Sequence, residues 1–550
     1  MPRSATAILL FALLVLLGAA PPPEFSRRGM VAVDHALASA AGAELLARGG
    51  NAVDAAVGAA LAAGVVQPSA SGLGGGGFAV IVDPDGARHV LDFREVAPRA
   101  ATGDMFSRAA DPKASTKGGL AVAVPGEPAG LEALSRRFGR LPLKVVVQPA
   151  VKLARLGFPA GDHLARSIAE RKEGAVALSL ALFGAGPPSR GDWVRREALA
   201  ATLMAFGKGG AAALSGGPIG ADIVRAVADA GGVITAADLS EYQPRDREAV
   251  LGSYRGWSVV SMPPPSSGGA VLLQVLGVLE GYDLASLGQN SADELHILVE
   301  ALKHAYADRA RLMGDPDRVS VPVDRMLSAE RIREIQRAIV PGRTWPPDAY
   351  GMAPQLPPDA GTQHISVLGP DGQAVALTTT INTSFGSEVV APKSGLLLNN
   401  EMDDFATRPG EANAFGLVGG AANAVAPGSR PLSSMSPTVL ISPDGAERIV
   451  IGASGGPFII SSTVQVIVNM LDFGMDPSEA VAAPRVHHQW SPDVLMLDEG
   501  IGADTSRALS ARGHALRSFP FFSAVQVVRG GQGLALGASD PRKGGWPASP

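Results

Sequence analysis

The sequence predicts an α+β fold of antiparallel sheets covered by helices, and three observations predict it. Four stretches have the layout of a hairpin: Phe78–Phe93, His364–Ile381, Thr438–Ser454 and Ala524–Ser539 each set two apolar runs around a short turn, a Pro-Asp-Gly turn in the first three. Hairpins pair antiparallel strands. Between them lie stretches of helical spacing: Ala129–Phe138, Arg195–Ala205, Ala221–Asp229, Ser291–Gly314 and Thr463–Asn469. The strands around Gly361 lack the strand–helix–strand alternation of a doubly wound sheet.

Taken in order, the first residues have the features of an export signal. Arg3 supplies the charge, Ala7–Leu17 is an unbroken apolar run, and Gly18-Ala19-Ala20 offers a cleavage site before three prolines. The run is short for a membrane span of roughly 20 residues, so residues 1–20 are expected to be removed, and no later segment is apolar enough to span. Ala32–Arg48 predicts a helix stopped by Gly49-Gly50, and Asn51 or Asp54 caps a second one through Ala63. Pro341–Gly361, rich in Pro, Gly and Asp, predicts an exposed linker ending at a Gly-Thr peptide bond.

Composition bounds the function. The 550 residues are 46% hydrophobic and 18% charged, enough for a large core. A net charge of −5 without a basic run argues against nucleic acid as partner. The absence of cysteine excludes disulfides, thiolate metal sites and lipid attachment through cysteine. Gly72–Gly77 matches G-x-G-x-x-G with Asp92 at the distance of a ribose-binding acid, but a helix precedes it and a strand follows, the reverse of the dinucleotide motif, so it predicts a tight turn. His487 and His488 point to opposite faces of one strand and cannot readily share an ion; a structural role is expected. Arg94 in Asp92–Glu95 closes a strand, and alone it would be a surface ion pair with Asp92 or Glu95.

The segment Gly361-Thr362-Gln363-His364-Ile365-Ser366 sets a hydroxyl after a glycine at a strand start. Behind it come TTTINTSFG (Thr378–Gly386), LLLNNEMDDF (Leu396–Phe405), RPLSSMSP (Arg430–Pro437) and GASGGP (Gly452–Pro457). Singly these are ordinary strand and turn residues; their order after Thr362 is not.

With RGGNAVDAAV (Arg48–Val57), LGGGGFAVI (Leu73–Ile81), DFREVAP (Asp92–Pro98), SMPPPSSGG (Ser261–Gly269), HAYADR (His304–Arg309) and FGLVGGAANAVAP (Phe415–Pro427), the chain resembles the γ-glutamyltransferase (glutathione hydrolase) family of N-terminal nucleophile hydrolases over nearly its whole length. The resemblance implies a four-layer αββα sandwich of two stacked antiparallel sheets. It implies a precursor that cuts itself between Gly361 and Thr362 into a large chain (21–361) and a small chain (362–550) that remain one heterodimer. The new Thr362 would carry a nucleophilic hydroxyl beside a free α-amine of pKa roughly 8. Glycine at 361 is expected to tolerate the distorted backbone this needs.

By the same resemblance Thr380 would orient the Thr362 hydroxyl and the amides of Gly455 and Gly456 would form the oxyanion hole. Arg94, with Ser433 and Ser434, would hold the substrate α-carboxylate, and Asp404, with Asn382 and Glu401, the α-ammonium. His364 would support the nucleophile. Phe415 stands where bacterial relatives commonly carry a lid tyrosine, which puts the latching of the lid in doubt. No metal or organic cofactor is implied. The substrate would be glutathione or another γ-glutamyl compound and the acceptor water, an amino acid or a dipeptide, in the periplasm or outside the cell. Two alternatives stand beside this: a glutaryl or cephalosporin acylase of the same superfamily, which would leave Asp404 buried and unpaired, and an exported binding protein without chemistry.

Overall fold

All four hairpins form, and they supply the middle of two antiparallel sheets. The computed structural model describes residues 22–350, 361–407, 414, 420–520, 523–531 and 533–550. In chain order the elements that frame the site are β1 (Glu24–Ser26), β2 (Met30–Val33), α1 (Ala36–Ala47), α2 (Ala52–Val66), β3 (Gly76–Val82), β4 (Arg88–Phe93), β5 (Arg245–Arg247), β6 (Val250–Tyr254), β7 (Trp257–Ser261), α3 (Gly268–Leu279) and α4 (Ala292–Leu312). After these come β8 (Gly361–Leu368), β9 (Ala374–Asn382), β10 (Thr438–Ile441), β11 (Glu447–Ser454), α5 (Phe458–Leu471), β12 (Ala524–Gly531) and β13 (Leu534–Ser539). One sheet runs β2-β8-β9-β3-β4-β5 and the other β1-β13-β12-β11-β10-β7-β6.

Strand alternation sorts the side chains into two cores. Ile365, Val367, Val375, Leu377, Ala79 and Ile81 pack against α2. Phe78, Val80, Ala374 and Ala376 share the second core with Val439, Ile449 and Ile451 and with α3 and α5. Helix α2 is buried at every position and rich in alanine and glycine, so it lies close on the sheet. Asn51 and Asp54 both cap it, in a reciprocal capping box.

Some expectations shift. The helix expected from Ala32 begins at Ala36, because Met30–Val33 is a strand paired with β8. Helix α3 and the β6–β7 hairpin are additional. Nearly every position of α3 is buried, so its sequence carries no amphipathic period to read. The linker is less loose than its composition predicts: the Trp345 indole N–H donates to the Ala338 carbonyl at 2.9 Å, and the Tyr350 hydroxyl donates to Glu300 at 2.5 Å. Residues 351–360, the proposed signal and Phe415 lie outside the described residues. Among the described residues no helix is long and apolar enough to cross a membrane.

Candidate active site

Strands β8 and β9 deliver the first group. Thr362 pairs with Thr380 and Gly361 with Asn382, so the register slips by one residue at the Gly361–Thr362 bond. Such a bulge lifts that peptide out of the regular ladder. The Thr380 hydroxyl donates to the Gly361 carbonyl at 2.7 Å, accepts from the Asn382 amide at 2.8 Å, and lies 3.2 Å from Thr362 Oγ1. Asn382 is held at φ +77, in the left-handed region disfavoured for a side chain.

Gly361 sits in close quarters. Its φ is not positive; a Cβ there would stand 2.5 Å from the Thr383 carbonyl oxygen and 2.8 Å from that of Ser69. Space alone thus favours glycine at this position. The turn expected at Gly72–Gly77 forms, with the Gly75 amide donating to the Gly72 carbonyl at 2.8 Å. Beyond it, a Cβ on Gly75 or Gly77 would strike the backbone of β9 at Thr380 or Thr378.

Gly455 and Gly456 have positive φ values of 128 and 56 and form the turn from β11 into α5. This turn sets both amides at the N-terminal end of a 14-residue helix, where developing negative charge is favoured.

Arg94, expected at the surface if structural, is 1% exposed. Its guanidinium pairs with Glu401, with Asp404 at 2.6 Å and with Glu95 at 3.7 Å, and its Nε donates to the Pro431 carbonyl at 3.1 Å. Asp92 accepts from the Arg94 backbone amide at 2.9 Å but forms its ion pairs with Arg247 and Arg430. Burial opposes the Arg94 charge, yet Glu401, Asp404 and Glu95 together raise its pKa. Burial likewise pushes Glu95 up to about 8 and Glu401 well above the carboxylate range. Glu401 and Asp404 share one turn of 3-10 helix, whose start is fixed by Asn399 accepting from the Glu401 amide at 2.9 Å. The expectation that Asp404 lies unpaired without a substrate ammonium is therefore corrected: Arg94 partners it.

One cavity collects these groups. Arg94, Thr362, Thr380, Asn382, Glu401, Asp404, Ser433, Ser434 and Gly456 line it, and with Arg94 drawn onto the acids only about 20 Å3 is free, room for about one water. The Ser433 hydroxyl accepts from the Met435 amide at 3.1 Å, and the Asn382 side chain donates to the Asn400 carbonyl at 3.0 Å.

His364 shares the Thr362 face of β8 but bonds elsewhere, to Thr378 at 2.8 Å and Ser366 at 3.1 Å, with its ring against Gly452. Burial lowers its pKa to about 3, so it is a neutral inter-sheet post. His487 and His488 turn apart as expected, to Ser461 at 2.8 Å and Asp493 at 3.3 Å. Spacing missed one cluster that the fold assembles: His296, Glu300 and His514. The two imidazoles already hydrogen-bond one another at 2.8 Å, and Glu300 accepts from Thr344 and Tyr350. Sequence reasoning also missed Glu95 as a member of the acid cluster, although it stands next to Arg94 in the motif. It missed Lys543 and Asp34 behind Thr362, which no local pattern marks.

The sequence profile described as Gamma-glutamyltranspeptidase matches residues 38–549. The chain belongs to the γ-glutamyltranspeptidase family. A glutathione hydrolase proenzyme of Escherichia coli K12 is 42% identical over 94% of this chain and 91% of that protein. Among solved structures, a γ-glutamyltranspeptidase of Helicobacter pylori is 40% identical over 57% of this chain and 92% of that one, with a TM-score of 0.54. A cephalosporin acylase of Bacillus halodurans covers 96% of this chain and 97% of its own, at 26% identity and a TM-score of 0.85. Family membership and these likenesses make the chain a hydrolase or transferase built of helices and antiparallel sheets.

Proposed function

We propose that this member of the family is a self-cleaving γ-glutamyl transferase and hydrolase whose nucleophile is Thr362. In this reading the chain folds as a four-layer αββα sandwich. It is exported by residues 1–20 and divides into a large chain of 21–361 and a small chain of 362–550.

Self-cleavage follows from the hydroxyl relay. Thr362 Oγ attacks the Gly361 carbonyl carbon, and the Thr380 hydroxyl, donating at 2.7 Å, takes up the charge growing on that oxygen. The Thr362 nitrogen leaves with a proton, and water hydrolyses the ester. In turnover the free amine accepts the hydroxyl proton as Thr362 attacks the γ-carbonyl of a donor such as glutathione. The Gly455 and Gly456 amides hold the oxyanion. The acyl group then passes to water, an amino acid or a dipeptide.

The observation that carries the donor class is Arg94 bound by Glu401 and Asp404 in the cavity of Thr362. A donor α-carboxylate that takes Arg94 displaces these acids, which then need another cation. The α-ammonium of a γ-glutamyl group supplies one, with Asn382 beside it and Ser433 and Ser434 on the carboxylate side. A glutaryl chain has none, so Glu401 and Asp404 would give up the Arg94 pairing with no ligand cation in exchange, a cost of several kcal/mol.

The acylase reading keeps a claim through the likeness to the Bacillus halodurans enzyme. Competing γ-glutamyl-anilide against glutaryl-anilide separates the two. Preference for the γ-glutamyl compound is expected, and faster turnover of the glutaryl compound would reverse the assignment.

A further inference from the structure

Lys543 approaches the nucleophile from the side opposite the acids. It ends the 3-10 turn Pro541–Lys543 that follows β13 and is 7% exposed. Its ammonium donates to Ser454 Oγ at 2.7 Å and to the Thr362 carbonyl at 3.3 Å, and stands 3.6 Å from Asp34 Oδ2. Asp34 is fixed in turn, accepting from Ser454 Oγ and from the Gln526 amide, each at 2.6 Å. One cation thus ties the Thr362 backbone to the residue directly before Gly455.

Bond lengths keep the nitrogen and carbonyl oxygen of one residue within about 3.6 Å of each other, which sets the ammonium within roughly 7 Å of the Thr362 nitrogen. We propose that Lys543 is a positioning residue: it holds the Thr362 peptide against the Gly455–Gly456 turn and, once the Gly361–Thr362 bond is open, its charge shifts the new α-amine toward the unprotonated form near neutral pH. The proposal rests on Thr362 being the nucleophile with its own amine as base.

A like charge at that distance lowers an amine pKa by about 0.4 to 1.7 for effective dielectric constants between 20 and 80. Asp34 offsets part of this while ionised; burial pushes it up to about 6, against the pull of Lys543. The other groups around Thr362 are Arg94, Glu401 and Asp404 on the cavity side, and Asp540 and Arg542 beside Lys543. His364, His163 and His35 stay neutral above pH 5, burial holding the first two at about 3 and His35 at about 4. Glu95, near 8, titrates alike in every variant, so comparison between variants removes it.

The test uses the self-cleaved enzyme, as wild type, Lys543→Met and Lys543→Arg, with kcat/KM for γ-glutamyl-anilide measured from pH 5 to 10. In Lys543→Met the acid limb should move to higher pH by roughly half a unit or more, with kcat at pH 7 down roughly two- to tenfold and KM little changed. Lys543→Arg should keep the wild-type limb. A Lys543→Met limb that overlies the wild type, whatever the loss of rate, overturns the proposal. If that variant does not mature, pH-dependent acetylation of the Thr362 amine in the wild type decides. A midpoint below about 7.5 is expected, and one at or above the ordinary value of about 8 overturns it. A Thr362→Ala protein that remained active would instead strike the reading of the nucleophile.

Discussion

The hydroxyl of Thr380 joins the two atoms that would react: it donates to the Gly361 carbonyl at 2.7 Å and lies 3.2 Å from the Thr362 hydroxyl. Removing it takes away both the donor that polarises the Gly361 carbonyl and the acceptor that orients the Thr362 hydroxyl. Thr380→Ala should slow self-cleavage by about 10²- to 10³-fold, the usual cost of one oxyanion donor. Thr380→Ser should cleave near the wild-type rate. Intact-mass analysis of freshly purified protein over time reads both; an alanine variant already split at isolation would remove Thr380 from the step.

Gly361→Ala tests space against backbone freedom. The added methyl meets main-chain oxygens of Ser69 and Thr383, neither of which can swing away as a side chain could. Folding should survive, because the collision is confined to a strand end, while cleavage slows at least about tenfold as the bulge is displaced. Circular dichroism with the fragment pattern on a gel distinguishes the two effects, and wild-type processing would show that the strand end yields.

Arg94→Gln removes the cation that bonds both Glu401 and Asp404. Stripping one partner from a buried ion cluster costs about 3–5 kcal/mol, so the melting temperature should fall. The fall should lessen toward pH 5, where the acids can protonate. The KM for γ-glutamyl-anilide should rise far more in Arg94→Gln than in Ser434→Ala, whose hydroxyl is one of several donors. Equal effects would detach Arg94 from the substrate carboxylate.

Glu127 offers a pH test of stability away from the reaction. It is fully buried, neither carboxylate oxygen has a hydrogen-bond partner among the described residues, and burial pushes its carboxyl up to about 8. The fold therefore favours the neutral acid. That contribution is complete below the ordinary glutamate value and is lost as pH rises through about 8, at a limiting rate of about 1.4 kcal/mol per pH unit. Glu127→Gln, which stays neutral, should melt above the wild type at pH 9, with the gap closing toward pH 5. A gap independent of pH would mean the carboxyl is ionised throughout.

How much of this was legible in the sequence depended on how local the signal was. The Pro-Asp-Gly turns fixed the hairpins because a turn and its flanking alternation lie within twenty residues. Thr362 stands out as a hydroxyl after a glycine at a strand start, whereas the roles expected of Thr380 and of the two glycines after Ser454 come only from the family resemblance. Ala32 and Val33 fall inside the helix that the sequence predicts, because the end of a short strand buried on both faces looks like any apolar run before an alanine-rich helix; only the pairing of Met30–Val33 with β8 distinguishes it. The partner of Asp404 could not be foreseen, since Arg94 lies 310 residues away and its burial is a property of the closed cavity. Lys543, Asp34 and Ser454 come from three remote segments, and nothing near any of them marks the meeting point.

The sheet orders have one more implication. In the six-stranded sheet β8 and β9 lie between β2 and β3; in the other, β1 and the β6–β7 hairpin flank four strands from the C-terminal part. A break after Gly361 would give two pieces woven through each other, each holding the missing borders of its counterpart. Neither piece made separately would have a place to stop adding neighbours along its exposed strand edges. Synthesis as one polymer, divided only after folding, supplies the halves in equal number and already interlocked.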